Sequence, residues 1–190
     1  MNKNIDHVRS RSPQGDRSTR LIAGAASNVV EIFTDGSSLG NPGPGGWGVV
    51  IIKNEELGIK NEKKETIIKE FGGFDKNTTN NRMELQAVIE TLKHIIKKHE
   101  SDTIVIHTDS TYVLLGITTW IHNWEKNNWK TANKKPVLNK ELWQELIELV
   151  RNFKGKLSWQ KVKGHNGHIH NERADEIATD CSASQKTHTF

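Results

Sequence analysis

The hydrophobic pattern of this chain changes period after three predicted strands, and this change is what most constrains the fold. From Val29 apolar and polar positions alternate through Ile32, which predicts a β-strand. Two more strands are predicted at 47–52 and 66–71. Apolar residues then recur at helical spacing along one stripe: Leu85, Val88, Ile89, Leu92, Ile95 and Ile96. The chain therefore combines a sheet with helices.

The second half of the chain alternates helices with strands. Strands are predicted at 103–108 and 157–163. One helix is predicted from about Ser110 and a short one at 120–129. Asn139 is predicted to cap a third helix, and a fourth follows the last strand. Because a helix precedes each of these two strands, right-handed crossovers place them parallel to the first strand. We predict an α/β fold with a five-stranded mixed sheet. Its first three strands form an antiparallel meander, its first, fourth and fifth strands are parallel, and helices cover both faces.

Composition and charge narrow the functional classes. No run of about 18 apolar residues occurs, which excludes a transmembrane helix. The single cysteine, Cys181, excludes an intramolecular disulfide and a cysteine-based zinc site, while a histidine–carboxylate or carboxylate-only metal site stays open. Residues 1–28 hold five basic and two acidic side chains of a chain whose net charge is +4, so the rest carries only +1. This balance does not indicate a uniformly basic nucleic-acid binder, although a local basic face stays open.

The chain is predicted to hold one folded domain. Residues 1–28 are polar, lack apolar periodicity and predict a disordered basic leader, followed by the domain at 29–182 and a C-terminal tail at 183–190. The apolar stretch at 21–23 is too short for the core of a secretory signal, and a transit peptide stays open as an alternative. We expect a cytoplasmic monomer that does not associate with membranes.

Two aspartates follow predicted strands that should be neighbours. Asp35 lies at or near the end of the first strand and Asp109 at or near the end of the fourth, and parallel neighbouring strands lie only ~4.8 Å apart. Glu84 lies one helical turn before Val88, on the flank of the apolar stripe, which directs it towards the rim of the sheet. Asp175 occupies a similar position in the last helix. Taken singly, each acid also fits a capping or helix-dipole role.

Four ionised carboxylates at one edge of a sheet would repel one another strongly. A divalent cation removes this difficulty, and sites built only from oxygen ligands suit Mg²⁺, with Mn²⁺ as a substitute. Two such ions ~4 Å apart can clamp the attacking and leaving oxygens of a phosphodiester. The pattern therefore favours metal-dependent phosphoryl chemistry without a serine, cysteine or histidine nucleophile.

A set of longer motifs resembles a known family. They are Thr34-Asp35-Gly36-Ser37, the glycine-rich loop at 40–46, Thr78-Thr79-Asn80-Asn81-Arg82-Met83-Glu84-Leu85, Thr108-Asp109-Ser110, Trp120-Ile121-His122-Asn123-Trp124, Val162-Lys163-Gly164-His165 and Asn171-Glu172-Arg173-Ala174-Asp175-Glu176. In this order and spacing they resemble type I ribonuclease H of the bacterial kind over 29–182. The resemblance implies metal-dependent endonucleolytic cleavage of the RNA strand of RNA/DNA hybrids, leaving 3′-hydroxyl and 5′-phosphate ends.

The same resemblance implies roles for individual residues. The metal-binding and catalytic acids would be Asp35, Glu84, Asp109 and Asp175. His165 would be the catalytic histidine of a mobile loop that aids proton transfer or product release. Its flanking glycines and the near-neutral titration of imidazole agree with that role.

Several residues are candidate contacts to the hybrid. Gly36 lets the backbone approach a sugar, where a 2′-hydroxyl would be sensed. The amides of Asn41, Asn80 and Asn81 suit a shallow minor groove, and the resemblance implies that Asn41 and Thr79 hold phosphate and groove edges. Capping of the long helix is an alternative role for Asn80 and Asn81.

The segment 120–140 interleaves tryptophans with lysines and resembles the family's basic protrusion, which grips the DNA strand. We expect substrate contacts here from Trp120, Trp124, Lys126, Lys130 and Asn139. Packing of the tryptophans into a small core of the protrusion is an alternative.

Three features depart from the family pattern. Glu125, Asn127 and Asn128 make the protrusion less basic, the connection at 53–65 is longer than usual, and Thr111 replaces a glutamine that often reads the minor groove. A binding module that does not cut and an integrase-like nuclease that cuts DNA remain competing hypotheses. A pure binder, however, gains nothing from anions beside phosphates.

Overall fold

The computed structural model describes residues 29–56, 63–98, 103–164 and 167–189. The strands are β1 (Val29–Ser38), β2 (Gly43–Glu56), β3 (Lys63–Thr78), β4 (Thr103–Thr108), β5 (Lys156–Lys161) and β6 (His188–Thr189). They form one sheet in the order β5-β4-β1-β2-β3-β6. β4 and β5 run parallel to β1, and the remaining neighbours are antiparallel. The predicted leader, residues 1–28, lies outside the described residues.

Five α-helices and one π-helical turn complete the described fold. They are α1 (Asn80–Ile96), α2 (Thr111–Leu115), the π-helical turn Gly116–Trp120, α3 (Ile121–Lys126), α4 (Lys140–Asn152) and α5 (Ile169–Ser184). Among the described residues, no helix is long and apolar enough to cross a membrane.

Helices cover both faces of the sheet. Successive residues of a strand point to opposite faces, so Ile32 packs with Leu85 and Leu92 of α1 on one side, whereas Phe33 packs with Ile177 of α5 on the other. α4 joins the first core through Trp143, which is fully buried. The predicted mixed sheet with helices on both faces is confirmed.

The strand count and several strand ends differ from the prediction. The sheet has six strands because β6, inside the predicted tail 183–190, pairs with Phe71 and Gly72 of β3. β2 begins at Gly43, so most of the glycine-rich run predicted as a loop belongs to the ladder. β2 and β3 also extend into the predicted 53–65 connection, of which 57–62 lie outside the described residues. Backbone hydrogen bonding extends these strands where the side-chain pattern indicates none.

Glycines in β2 let α5 lie directly on the sheet. A Cβ atom on Gly48 would stand 2.2 Å from the carbonyl oxygen of Ala174, and one on Gly46 would stand 2.2 Å from that of Ala178. Glycine within a strand is otherwise unfavourable, and its presence here marks a close backbone approach. The run therefore sets the separation between α5 and the sheet.

We predict that Gly48→Ala lowers the free energy of unfolding by at least about 1–3 kcal/mol, because the added methyl group meets helix backbone that cannot rotate away. Urea denaturation of the two proteins measures the change. An unaltered midpoint and slope would show that α5 does not approach β2 as closely as described.

Candidate active site

The parallel pairing of β1 with β4 brings two of the predicted acids together. The last register pair joins Thr34 to Thr108, and the next residue along each strand is Asp35 and Asp109. Asp35 is 8% exposed, and its Oδ1 accepts a 2.7 Å hydrogen bond from the backbone N–H of Gly36. The two acids therefore lie side by side, as the sequence predicted. Asp109 follows β4 directly, whereas Asp35 lies within β1 at the point where its pairing with β4 ends, because β2 continues to pair with β1 through Ser38.

α1 brings Glu84, its fifth residue, to the place where the pairing of β1 with β4 ends. A Cβ atom on Gly36 would stand 2.3 Å from the backbone nitrogen of Glu84 and 2.6 Å from the carbonyl carbon of Met83. Only a residue without a side chain lets α1 approach β1 this closely. Gly36 itself is buried, so the structure gives it a packing role beside the sugar-approach role predicted for it.

Two hydrogen bonds hold the Glu84 carboxylate. Its Oε1 accepts from Asn80 Nδ2 at 2.9 Å, and its Oε2 accepts from the hydroxyl of Ser110. The Ser110 hydroxyl oxygen in turn accepts from the backbone N–H of Val113 at 3.2 Å and thereby caps α2. Ser110 directly follows Asp109, so its hydrogen bond to Glu84 joins the chain segments that carry these two acids.

α5 contributes the fourth acid. Gly48 is the register partner of Asp35 in β2, and the carbonyl oxygen of Ala174 lies directly over it. The following residue, Asp175, is half-buried, and its charge raises the pKa of Asp35. The helix that rests on bare β2 backbone therefore carries its carboxylate to the side of Asp35.

The surroundings of Asp35 and Glu84 raise the pKa of both side chains. Burial raises the pKa of Asp35 to about 8, with further contributions from Asp109, Asp175 and Glu84 that exceed the opposing hydrogen bond from Gly36. Burial likewise raises the pKa of Glu84 to about 7, together with the charge of Asp109, against the hydrogen bonds from Ser110 and Asn80. The repulsion expected from the sequence is therefore present between these side chains.

The acids form an open cluster. Within the described parts of the chain, no three His, Cys, Asp or Glu side chains are grouped so that they could hold a metal ion as they stand. The donors are nevertheless all carboxylate oxygens, the hard ligands that Mg²⁺ and Mn²⁺ prefer. Buried like charges also need a cation when they ionise, so the residues present fit a divalent metal.

His165 lies outside the described residues, but its neighbour Gly164 is described. A Cβ atom on Gly164 would stand 2.5 Å from Oδ2 of Asp109. The residue before His165 therefore packs against one of the four acids.

Three of the residues predicted to bind substrate lie at the N-terminus of α1, and a fourth lies in the turn between β1 and β2. Asn41 is exposed in the turn between β1 and β2, next to a cis peptide bond with Pro42. Thr79 is the N-cap residue of α1 but makes no side-chain cap hydrogen bond, and Asn80 bonds Glu84 instead of capping. Asn81 is exposed. The capping role considered for Asn80 is therefore replaced by a contact to an acid.

The tryptophans of the segment 120–140 pack as well as line a groove. The ring of Trp124 lies 5.6 Å from Trp120 and 5.4 Å from the buried Trp143. An open groove of about 470 Å³ lies beside them. Its lining consists of Trp120, Asn123, Trp124, Asn127, Lys130, Thr131 and Ala132. Lys126 is exposed on α3, the helix of Trp124, and Lys130 lines the groove, so two lysines lie near the packed rings.

Asn139 does not cap α4 in the way the sequence predicted. It occupies the N-cap position, but its backbone is left-handed, with φ at 57°, and its side chain makes no cap hydrogen bond. The side chain instead accepts from Arg82 Nη1 at 3.2 Å and donates to the hydroxyl of Tyr112 at 3.2 Å. Asn139 thus joins α1 to the start of α4.

Two contributors to the site are not predicted from the sequence. The sequence predicts Ser110 only as the start of a helix, although a serine between an acid and a helix is an N-cap signal that also leaves its O–H free to donate. It predicts Gly48 only as part of a strand, and the position of α5 shows why this residue has no side chain.

Comparison with known proteins gives a consistent picture. The family model described as RNase H matches residues 27–183. The chain is 50% identical over 164 residues to a protein named ribonuclease H from Mesorhizobium japonicum, covering 86% of this chain and 84% of that relative. It also resembles the crystal structure of LC9-RNase H1, a type 1 RNase H with the type 2 active-site motif. The TM-score is 0.71 and the identity 33%, over 85% of this chain and 75% of that one.

A second solved structure shows the same fold. It is the crystal structure of LC11-RNase H1 in complex with an RNA/DNA hybrid, with a TM-score of 0.59 and 24% identity. The match covers 82% of this chain and 98% of that chain.

Rising pH is expected to destabilise the metal-free fold. Asp35, with a pKa of about 8, and Glu84, with a pKa of about 7, bind protons that the unfolded chain releases near its ordinary carboxyl pKa values. The folded state therefore holds more protons between about pH 4 and pH 8, and stability is lost as the pH rises through this window. We expect the free energy of unfolding in EDTA to fall by a few kcal/mol across it, measured by urea denaturation.

Two comparisons tie this loss to the acids. Asp35→Asn should flatten the profile, and Mg²⁺ should do the same because a bound cation replaces the protons. Identical profiles for the wild type and Asp35→Asn would mean that Asp35 does not carry the raised pKa.

We predict that Ser110→Ala weakens Mg²⁺ binding, because Glu84 loses the hydroxyl that orients it, and that it costs about 1 kcal/mol of stability through the lost helix cap. Ser110→Thr, which keeps a hydroxyl, should restore binding. Calorimetric titration with Mg²⁺ measures both variants. Thr118→Ala is the control, since its hydroxyl bonds Leu114 in the same helical segment; an equal loss there would refute the assignment.

Proposed function

The chain belongs to the ribonuclease H family, and we propose that Asp35, Glu84, Asp109 and Asp175 bind the divalent metal ions that its reaction requires. It is an endoribonuclease that hydrolyses the RNA strand of RNA/DNA hybrids, leaving 3′-hydroxyl and 5′-phosphate ends. The assignment of the acids is supported first by backbone geometry. Asp35 and Asp109 directly follow the last register pair of β1 with β4, and Glu84 accepts a hydrogen bond from Ser110, the residue after Asp109. The charges of Asp109, Asp175 and Glu84 also raise the pKa of Asp35, in agreement with this placement.

Mg²⁺ is the metal we propose, with Mn²⁺ as a substitute, because the donors are carboxylate oxygens. A pair of such ions would neutralise charge at the scissile phosphate and activate the attacking water. The chain's own part is to hold the ligands. The N–H of Gly36 fixes Asp35, and Ser110 with Asn80 fixes Glu84.

Metal binding is expected to be coupled to the release of protons from Asp35 and Glu84. At neutral pH the raised pKa values leave Asp35, and in part Glu84, protonated in the metal-free chain. Metal binding therefore releases protons, and affinity for the metal rises with pH up to about 8. The role of His165 in proton transfer or product release remains a prediction, supported by the contact between Gly164 and Asp109.

We propose that the hybrid lies across the acids and the segment 120–140. Asn80 contacts Glu84 directly, and together with Asn41, Thr79 and Asn81 it would supply donors and acceptors for a minor groove. The groove beside Trp120 and Trp124, with Lys126 and Lys130, would hold phosphates of the DNA strand, with Asn139 between the two regions. The hybrid bound to LC11-RNase H1, a protein of the same fold, supports this class of substrate.

The organisation of the chain completes the proposal. The family match at 27–183 supports a catalytic domain at 29–182 that includes the protrusion at 120–140. We further propose that the enzyme is a cytoplasmic monomer.

Asp35→Asn should abolish cleavage, with a loss greater than the roughly 100-fold typical of residues that only support a metal ligand. Binding of the hybrid should be retained or improved, because one negative charge beside the phosphate is removed. Cleavage of a hybrid labelled on its RNA strand, with Mg²⁺ and with EDTA, measures the first effect, and fluorescence anisotropy in EDTA measures the second.

Asp180→Asn is the matched control, since it makes the same charge change at an exposed position of α5. Near-normal turnover by Asp35→Asn would remove Asp35 from the metal ligands. Hybrid bound but uncut by the wild type would favour a binding module, and cutting of a DNA duplex in preference to the hybrid would favour an integrase-like nuclease.

A further inference from the structure

A lysine at the rim of the acid cluster has no part in the function proposed above. Lys161, the last residue of β5, donates from Nζ to the hydroxyl of Thr111 at 2.9 Å. Thr111 is the first residue of α2 and lies two positions after Asp109. Both residues are exposed. The pair therefore places a positive charge on the surface beside one of the proposed metal ligands.

The backbone fixes where this charge stands. Lys161 is the register partner of Thr108, the residue before Asp109, in the parallel pairing of β4 with β5. The N–H of Val162 then donates to the carbonyl oxygen of Thr108 at 3.1 Å. The end of β5 is thus tied to the strand end that carries the site, and Thr111 fixes the tip of the side chain.

We propose that Lys161 binds a phosphate of the RNA/DNA hybrid beside the acid cluster, with Thr111 holding its ammonium group in position. This inference rests on the proposed function. It adds a substrate contact on the β5 side of the site, opposite in sign to the acids and outside the segment 120–140.

The chemistry of the pair supports a ligand of this kind. An ammonium group has three N–H donors, and the bond to Thr111 uses one of them. A single bond between two exposed side chains adds little stability and costs the rotamer freedom of a long lysine. Two remaining donors on a positioned cation suit a phosphate, which is the charged group that a nucleic acid presents.

Lys161 is not among the groups that shift the pKa of Asp35 or Glu84, which are burial, other carboxylates and hydrogen bonds. The bond that its ammonium group makes is to the neutral hydroxyl of Thr111, which leaves its positive charge uncompensated by that partner.

The pair also accounts for the departure noted at Thr111. A glutamine reaches bases, whereas Thr111 has a short hydroxyl that bonds a lysine. A phosphate contact positions nucleic acid without reading its sequence. Thr111 thus suits a contact to the nucleic-acid backbone through Lys161 rather than a contact in the groove.

The test measures binding of the hybrid by the full chain at several salt concentrations, with EDTA present so that the hybrid is not cut. Each phosphate contact contributes close to one unit to the slope of log affinity against log salt. Lys161→Met should therefore reduce the slope by about one and weaken binding by about threefold or more at low salt. Lys161→Arg, which keeps the charge, should restore the slope.

Lys156→Met is the matched control. Lys156 is exposed at the other end of β5, five residues and about 16 Å away, beside Thr103. It should leave the slope unchanged. Thr111→Val should weaken binding modestly with the slope retained, because the charge remains but is no longer held.

Kinetics in Mg²⁺ separate this inference from the proposed function. Lys161→Met should raise KM with kcat unaltered, since it removes binding and no chemistry. A wild-type chain that fails to cut the hybrid would overturn the proposed function. A wild type that cuts, together with a Lys161→Met variant whose slope and KM match those of Lys156→Met, would overturn this inference alone. A slope lost equally in Lys161→Met and Lys161→Arg would also overturn it.

Discussion

Direct contact between helix backbone and glycines of the sheet holds the site together. α1 meets β1 at Gly36, and α5 meets β2 at Gly46 and Gly48, with spacings that leave no room for a Cβ atom. Each contact places one acid, Glu84 or Asp175, within reach of Asp35. A side chain at any of these positions would lift a helix from the sheet and carry its carboxylate away. The positions of Glu84 and Asp175 therefore depend on the absence of side chains at these glycines of the strands.

The acid cluster destabilises the fold, whereas the hydrophobic core around it stabilises the fold. The buried faces on both sides of β1 stabilise the sheet, while the strand end collects carboxyl groups that are costly to ionise without a cation. The fold tolerates this because the charged cluster lies at one edge and the apolar layers lie elsewhere. A cation that serves the reaction also relieves this cost, so function and stability meet at the same atoms.

The sequence was informative where periodicity or a motif carried the signal. The stripe from Leu85 to Ile96 predicted α1, and the adjacency of Asp35 and Asp109 followed from the parallel order of two strands. The sequence was less informative where tertiary contacts decide. The glycine-rich run joined β2 because a neighbouring strand and helix needed bare backbone there. Asn139 has the residue type of a cap, yet Arg82 and Tyr112, distant in sequence, take its side chain.

The glycine contacts divide the positions of the site into two kinds that differ in their tolerance of substitution. An acid can be exchanged for its amide and leave a folded protein that has lost its chemistry, since volume and packing are preserved. Gly36 and Gly48 have no comparable tolerated substitution, because every other amino acid adds bulk against helix backbone. Descendants that abandon the reaction would therefore first lose carboxylates and keep their glycines, leaving a recognisable scaffold that is catalytically silent.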